Sequence, residues 1–455
     1  MGDRCIYCGL SGELSKSDII PDALTNAKII NPKVCRIEHN NKFSDLFEDE
    51  VIGKLAIITN ELDIKSSKSK KYAPYEAKVM VAGTEYSTKI TSEAELFRNK
   101  KMRSVDGKSL LGPIDEIRKI KTASDTNIKE IDINQIEIEK RVNIDFSVFF
   151  SQAMYRMVAK IAFEWFCLNN DVNDKINSFD PIIKFIINGT GDGLVSIVSN
   201  SELYDLINRT MDFGSHTLLS YIGDDGSVNI LVSLFGMAVY NIRVSDSVID
   251  ECKNNVLFQT LSLDAKRVQF KYDTFGNFSN NLKYSFVEFK LDNGFTAMLP
   301  KNMMDTTLEY KVFYGLNYPL FQNHLQYINE PNEQSINLIK KYMEDILQSS
   351  AITIRGLKRF VNEYFKSFNE KVRLNPKGTN KKSVFLFYIL FLVGQTDLGI
   401  KNLHDLNKVL KEKFNNEAII INDELTYKLN DVILSAAEYS DIIKNGAKAI
   451  DSWEY

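Results

Sequence analysis

Cys5-Ile6-Tyr7-Cys8-Gly9, Ser17-Asp18-Ile19-Ile20-Pro21 and Cys35-Arg36-Ile37-Glu38-His39-Asn40-Asn41 decide how this chain is read. A Cys-x-x-Cys pair forms a knuckle turn whose thiolates converge on one tetrahedral cation, and a second pair from a later segment completes the shell. The first pair is Cys5 and Cys8 and the second is Cys35 and His39, so three of the five cysteines and one of the four histidines fall in one short window. Reduced cysteines packed as small apolar residues are the other meaning of such a cluster, but the knuckle spacing favours a structural zinc. A segment this short buries too little apolar surface to fold alone, whereas a structural zinc contributes roughly 10 to 16 kcal/mol of apparent folding free energy. Four protein ligands leave no position for water, so this zinc is expected to hold structure and do no chemistry. Its loss is expected to unfold the module while the rest of the chain keeps its own core.

The order Cys-x-x-Cys, an apolar strand ending in Ile-Ile-Pro, a loop, and Cys with His-Asn at a helix start resembles the HNH endonucleases. These are the ββα-metal or His-Me finger group, here of the bacterial, defence-associated kind with a Cys-x-x-Cys head. The resemblance covers roughly residues 3 to 56. It implies a Glu-His or Asp-His pair before Ile-Ile-Pro, with the histidine as general base and a divalent ion, Mg2+ or Mn2+, stabilising the leaving oxygen of a DNA phosphodiester. Carried over, Asp18 stands where the histidine is expected and Ser17 where the acidic residue is expected. Asn40 or Asn41 stands at the helix asparagine. A carboxylate is a weaker base than imidazole unless its pKa is raised, but a better ligand for a hard cation. Asp18 with Asn40 or Asn41 is therefore expected to hold magnesium around an attacking water. The alternative is a catalytically inactive zinc-knuckle protein that binds nucleic acid or a partner.

At 455 residues, 44% hydrophobic and 25% charged, the chain has the composition of a soluble globular protein and room for about three domains. No basic start followed by an apolar run opens it, and its longest apolar stretch, Val384 to Val393, is too short to span a bilayer. The cysteines are expected to be reduced and the protein cytoplasmic, with no membrane partner. A net charge of −4 does not announce a nucleic-acid binder. Local basic tracts offer candidate phosphate-tracking surfaces, with an ordinary solvated face as the alternative: Lys65, Lys68, Lys70 and Lys71; Arg98, Lys100, Lys101 and Arg103; and a run from Arg355 to Lys382 that includes Lys377, Lys381 and Lys382. DNA is the expected target and RNA the alternative. A second copy of the chain or a companion defence protein is left open.

The expected fold class is α+β: a zinc-stapled ββα module at 1–58, a β-rich linker domain at 59–145, an α+β domain at 146–330 and a helical domain at 331–455. Glu76 to Ile90 alternates as two strands around Ala82-Gly83-Thr84. A wide apolar helical face begins near Phe146 and includes Met154, Met157, Ile161 and Trp165. Strands follow at His216–Tyr221, Val228–Phe235 and Met237–Val244, then around Asp292-Asn293-Gly294. The Gly189–Gly193 tract lacks the residues of a phosphate loop and reads as a turn. His216, His324 and His404 have no ligand spacing and read as structural.

Overall fold

The apolar stripe that opens near Phe146 organises the larger part of the molecule. In the computed structural model, residues 3–91, 101–120, 128–130, 138–141, 144–223, 225–272, 286–290, 296–300, 327–328, 331–365, 381–415 and 419–454 are described. They form an α+β protein with a helical C-terminal part. Two compact units divide the chain: residues 1–52, 65–69 and 145–344 in the first, and 53–64, 70–144 and 345–455 in the second. The N-terminal segment thus shares a unit with residues far along the chain.

In the first unit, strands β1 (Leu14–Asp18) and β2 (Ile30–Cys35) pair antiparallel, Leu14 opposite Cys35 and Asp18 opposite Ile30. A wide π-helical turn, Arg36–Asn41, follows β2 directly and leads to a second, Ser44–Glu48. In the second unit, β3 (Tyr75–Val81) and β4 (Thr84–Ile90) form the hairpin expected from the alternation. Its turn residues Ala82 and Gly83 both have positive φ, the geometry whose twist matches that of the flanking strands. With β5 (Met102–Ser104), β6 (Leu110–Leu111) and β7 (Ile138–Arg141) they make a sheet in the order β6-β5-β4-β3-β7. Residues 131–137, where isoleucines alternate, lie outside the described residues, as do Arg98 and Lys100.

Helix α1 (Gln152–Asn169) is the spine of the first unit. The Ser151 hydroxyl caps it by accepting from the Met154 amide. Its buried face carries Met154, Met157, Val158, Ile161, Phe163 and Trp165. Helix α2 (Asp180–Asn188) starts with proline in its first turn and stops at Gly189, whose φ of 69° is the left-handed exit that glycine adopts without strain. Beyond it run β8 (Val195–Val198), α3 (Ser201–Thr210), β9 (His216–Ile222), β10 (Val228–Leu234), β11 (Ala238–Ser245), β12 (Val256–Leu261) and β13 (Arg267–Tyr272). With a short strand at Tyr327–Ile328 they form an antiparallel sheet in the order β13-β12-β9-β10-β11-β8 and then that strand. Every residue of β10 is buried, which places it at the centre. Trp165 on α1 donates its indole N–H to Gln259 Oε1 at 2.6 Å, and Tyr240 donates to the Phe149 carbonyl at 3.0 Å, pinning helix to sheet. A separate hairpin joins Phe286–Lys290 to Thr296–Pro300, while its turn lies outside the described residues.

His216 is buried, accepts from the Phe235 amide at Nδ1 and bonds the Leu24 carbonyl through Nε2. Burial depresses it to about 4, so it is a neutral structural imidazole. His404 lies on a helix of the second unit, outside the one metal-ligand cluster among the described residues; His324 lies outside the described residues. The glycines of the Gly189–Gly193 tract all have positive φ, as a turn requires.

Helix α4 (Glu333–Ser349) leads out of the first unit. The second continues with α5 (Ile354–Phe360), α6 (Lys381–Gly394), α7 (Leu403–Lys413), α8 (Asp423–Ser435) and α9 (Tyr439–Ser452). Helix α6 is buried from Ser383 to Gly394 and apolar on every side, the signature of a central helix. It crosses α9 where Gly394 and Gly446 meet: a Cβ on Gly446 would lie 1.9 Å from the Leu390 carbonyl oxygen. No helix among the described residues is long and apolar enough to cross a membrane.

Candidate metal centre and the polar network beside it

The knuckle closes on itself before any metal is considered. The Cys5 amide bonds the Leu10 carbonyl, the Gly9 amide returns to Cys5, and Gly9 takes a φ of 72°. The first π-helical turn then carries His39 back over the knuckle, because Cys35 and His39, four residues apart, share one side of it. The Sγ atoms of Cys5, Cys8 and Cys35 and a ring nitrogen of His39 all lie within 4.8 Å of one another. Cys8 and Cys35 sulfurs are 3.5 Å apart, and Cys5 Sγ is 3.6 Å from His39 Nδ1. Zinc bonds of about 2.3 Å to sulfur and about 2.0 Å to nitrogen set tetrahedron edges of roughly 3.5 to 3.8 Å. The four residues fit a zinc ion, and the Cys35 amide already donates to Cys5 Sγ at 3.3 Å.

Protonation chemistry shows why the cluster suits a cation. Burial acts to raise the Cys5 thiol, but hydrogen bonds from His39 and from the Cys35, Cys8 and Tyr7 backbone outweigh it and bring the group down to about 6. Cys35 is pushed up to about 12 by burial and by the neighbouring sulfurs of Cys5 and Cys8. One thiolate is therefore tolerated and the next is opposed, whereas a divalent ion stabilises all three.

The centre is built into the first unit. Tyr7, between the two knuckle cysteines, stacks on His39 with centroids 5.0 Å apart and donates its hydroxyl to Glu164 Oε1 on α1 at 3.0 Å. Asn31 Nδ2 donates to the Glu164 carbonyl at 2.9 Å. Arg4 pairs with Asp174. The module thus rests on α1 through the buried contacts of Tyr7 and Asn31 with Glu164.

Asp18 ends β1. Its carboxylate faces Lys28 Nζ at 3.7 Å, and Lys28 is bound more closely to Asp22 at 2.7 Å. Beneath it, Lys160 of α1 donates Nζ to the Asp18 carbonyl oxygen at 2.5 Å and to Glu48 Oε1 at 2.8 Å. The Lys160 side chain is 1% exposed. Burial acts to discharge it, yet the nearby carboxylates of Glu164, Glu48 and Asp18 hold the proton on. Ser17 points inward, its hydroxyl beside the second Glu164 oxygen, with neither atom in a well-formed hydrogen bond. Burial raises Glu164 to about 7 against the pull of Lys160.

Asn40 donates to the Ser15 hydroxyl at 2.9 Å and to the Lys16 carbonyl, so it ties the helical turn to β1. Asn41 is exposed. Lys65, Lys68, Lys70 and Lys71 are exposed, and the 65–69 loop is anchored where Ser66 and the Ser67 amide donate to Asp22. Four described members of the later basic run are tied into their own unit: Arg355 to Asp63, Arg359 to Glu363, Lys381 to Asp423 and Lys382 to Glu61. Lys377 lies outside the described residues.

Lys160 and Glu164 escape a motif-based reading. Their signal was two charges four residues apart inside the apolar run Ala159–Phe166, where charges are rare unless paired. No family model, curated protein or solved structure matches this chain.

Proposed function

We propose that this chain is a zinc-stapled, HNH-like protein that binds nucleic acid without cutting it. The observation that carries this reading is that two lysines serve the oxygens around Asp18: Lys28, shared with Asp22, faces its carboxylate, and the buried Lys160 ammonium holds its main-chain carbonyl and the Glu48 carboxylate. A catalytic divalent ion needs those oxygens unpaired and open to water and substrate. Here lysines of the protein hold them, and Lys160 is too deeply buried to touch a phosphate. Zinc, held by Cys5, Cys8, Cys35 and His39, would supply the fold of the module. Binding would draw on exposed lysines of the 65–69 loop, held on this module through Asp22.

The test is incubation of the purified chain with supercoiled DNA and with RNA in Mg2+ or Mn2+, alongside binding measured across salt. Intact substrates and salt-sensitive binding are expected, with Lys65→Ala/Lys68→Ala flattening the salt slope by roughly two units. Metal-dependent cleavage that disappears in Asp18→Ala would overturn the reading in favour of hydrolysis. Salt-insensitive or absent binding would overturn the nucleic-acid part.

A further inference from the structure

The second unit contains a cavity of about 80 Å³ lined by its own residues. A water molecule needs about 10 to 15 Å³ measured this way, so the space is several waters large and suits a ligand of a few heavy atoms. Asn60 lines it and is 2% exposed. Its Nδ2 donates to the Ala56 and Ala73 carbonyls, both at 2.6 Å, so reversing the amide would set oxygen against two carbonyl oxygens. Asn60 Oδ1 is thereby fixed as a buried acceptor, and it has no donor. Leaving such an atom unsatisfied is costly, which calls for a donor inside the cavity.

Arg359 also lines the cavity. Its Nε donates to Glu363 at 3.1 Å, its Nη2 donates to the Thr91 carbonyl at 3.2 Å, and its carbon lies 4.3 Å from the Tyr72 ring centroid. Those contacts immobilise the guanidinium and leave Nη1 as the nitrogen without a bond among the described residues. The remaining charged lining is the Glu61–Lys382 pair, 2.7 Å apart and braced by the Leu347 carbonyl. Two ion pairs make the wall neutral overall. A ligand of net charge would leave an uncompensated charge in a half-closed space, whereas a zwitterion would not.

We propose that this cavity binds a small amino acid, its ammonium donating to Asn60 Oδ1 and its carboxylate accepting from Arg359 Nη1. The size selects glycine, alanine or serine over larger members of the class. Calorimetric titration of the full-length chain with glycine, L-alanine and L-serine tests this, with acetate and ethylammonium as probes that carry one of the two groups each. Saturable binding of at least one amino acid, tenfold or more tighter than either control, is expected. Ser383→Leu, which fills the cavity, should abolish it with an unchanged far-UV spectrum, and Arg359→Lys should weaken it about tenfold. No binding of any of the three, equal binding of a control, or binding unaffected by Ser383→Leu would overturn the proposal and leave a water-filled packing defect. Should a variant fail to fold, the comparison of amino acids with the two controls on the native chain still decides.

Discussion

The first unit joins its small module to its large body with buried charges and hydroxyls, whereas the second unit is centred on a helix that carries almost none. At the module, Lys160, Glu48, Glu164 and Tyr7 meet in the interior. Around α6, apolar side chains and two glycines bring helices together. Polar contacts of this kind fix orientation and register but cost heavily when one partner is lost, while apolar contacts degrade in proportion to volume. The contrast therefore predicts two different patterns of sensitivity.

Metal removal should produce the largest effect. Elemental analysis should find about one zinc per chain, and chelation or Cys8→Ser should remove stabilisation on the order of 10 kcal/mol from the module. The sequence suggested that the rest would stand unaffected. The Tyr7–Glu164 and Asn31–Glu164 bonds predict instead that protection of α1 amides from hydrogen exchange falls as well. Protection of α1 that is unchanged after zinc loss would show that the module merely rests on the body.

Lys160→Met comes next. It strips the counter-charge from Glu48 and Glu164 and should cost about 3 to 5 kcal/mol by denaturant unfolding. A cost below about 1 kcal/mol would mean that the network is not held as a unit.

Glu164 gives the contrast a pH dependence. Its carboxyl is raised from 4.5 to about 7 in the fold, so the protonated form favours folding. The associated stability is fully present below pH 4.5 and is lost as pH rises through 7. Glu164→Gln keeps an acceptor for Tyr7 and removes the titration. The stability of the native chain relative to this variant should therefore fall by on the order of 3 kcal/mol between those limits. A flat difference would place Glu164 ionised throughout.

In the second unit, Gly446→Ala should cost about 1 to 3 kcal/mol by forcing α6 and α9 apart. Because that interface has no buried charge to orphan, its loss should be nearly independent of pH. A pH-dependent cost would break the comparison.

Local chemistry made much of this legible from sequence. The cluster of Cys5, Cys8, Cys35 and His39 announces itself because knuckle spacing is set by short-range geometry, and the Ala82–Gly83 turn because Gly83 takes positive φ without strain. The central helix α6 is readable as an uninterrupted apolar run. Lys160 is different: the carbonyl it holds is 142 residues away in the chain. A carboxylate at position 18 reads equally well as a magnesium ligand or a lysine's neighbour until the fold brings α1 beneath it. The basic run ending at Lys382 has the same history, since Glu61 and Asp423 are supplied by distant segments.

The central claim is that Lys28 and Lys160 hold the oxygens around Asp18 that a catalytic ion would need. Manganese titration of the zinc-loaded chain, followed by electron paramagnetic resonance, tests it directly. The account predicts that added Mn2+ remains free, with the spectrum of the hexa-aquo ion, up to millimolar concentration. Stoichiometric Mn2+ bound by the native chain, and released by Asp18→Ala, would contradict it.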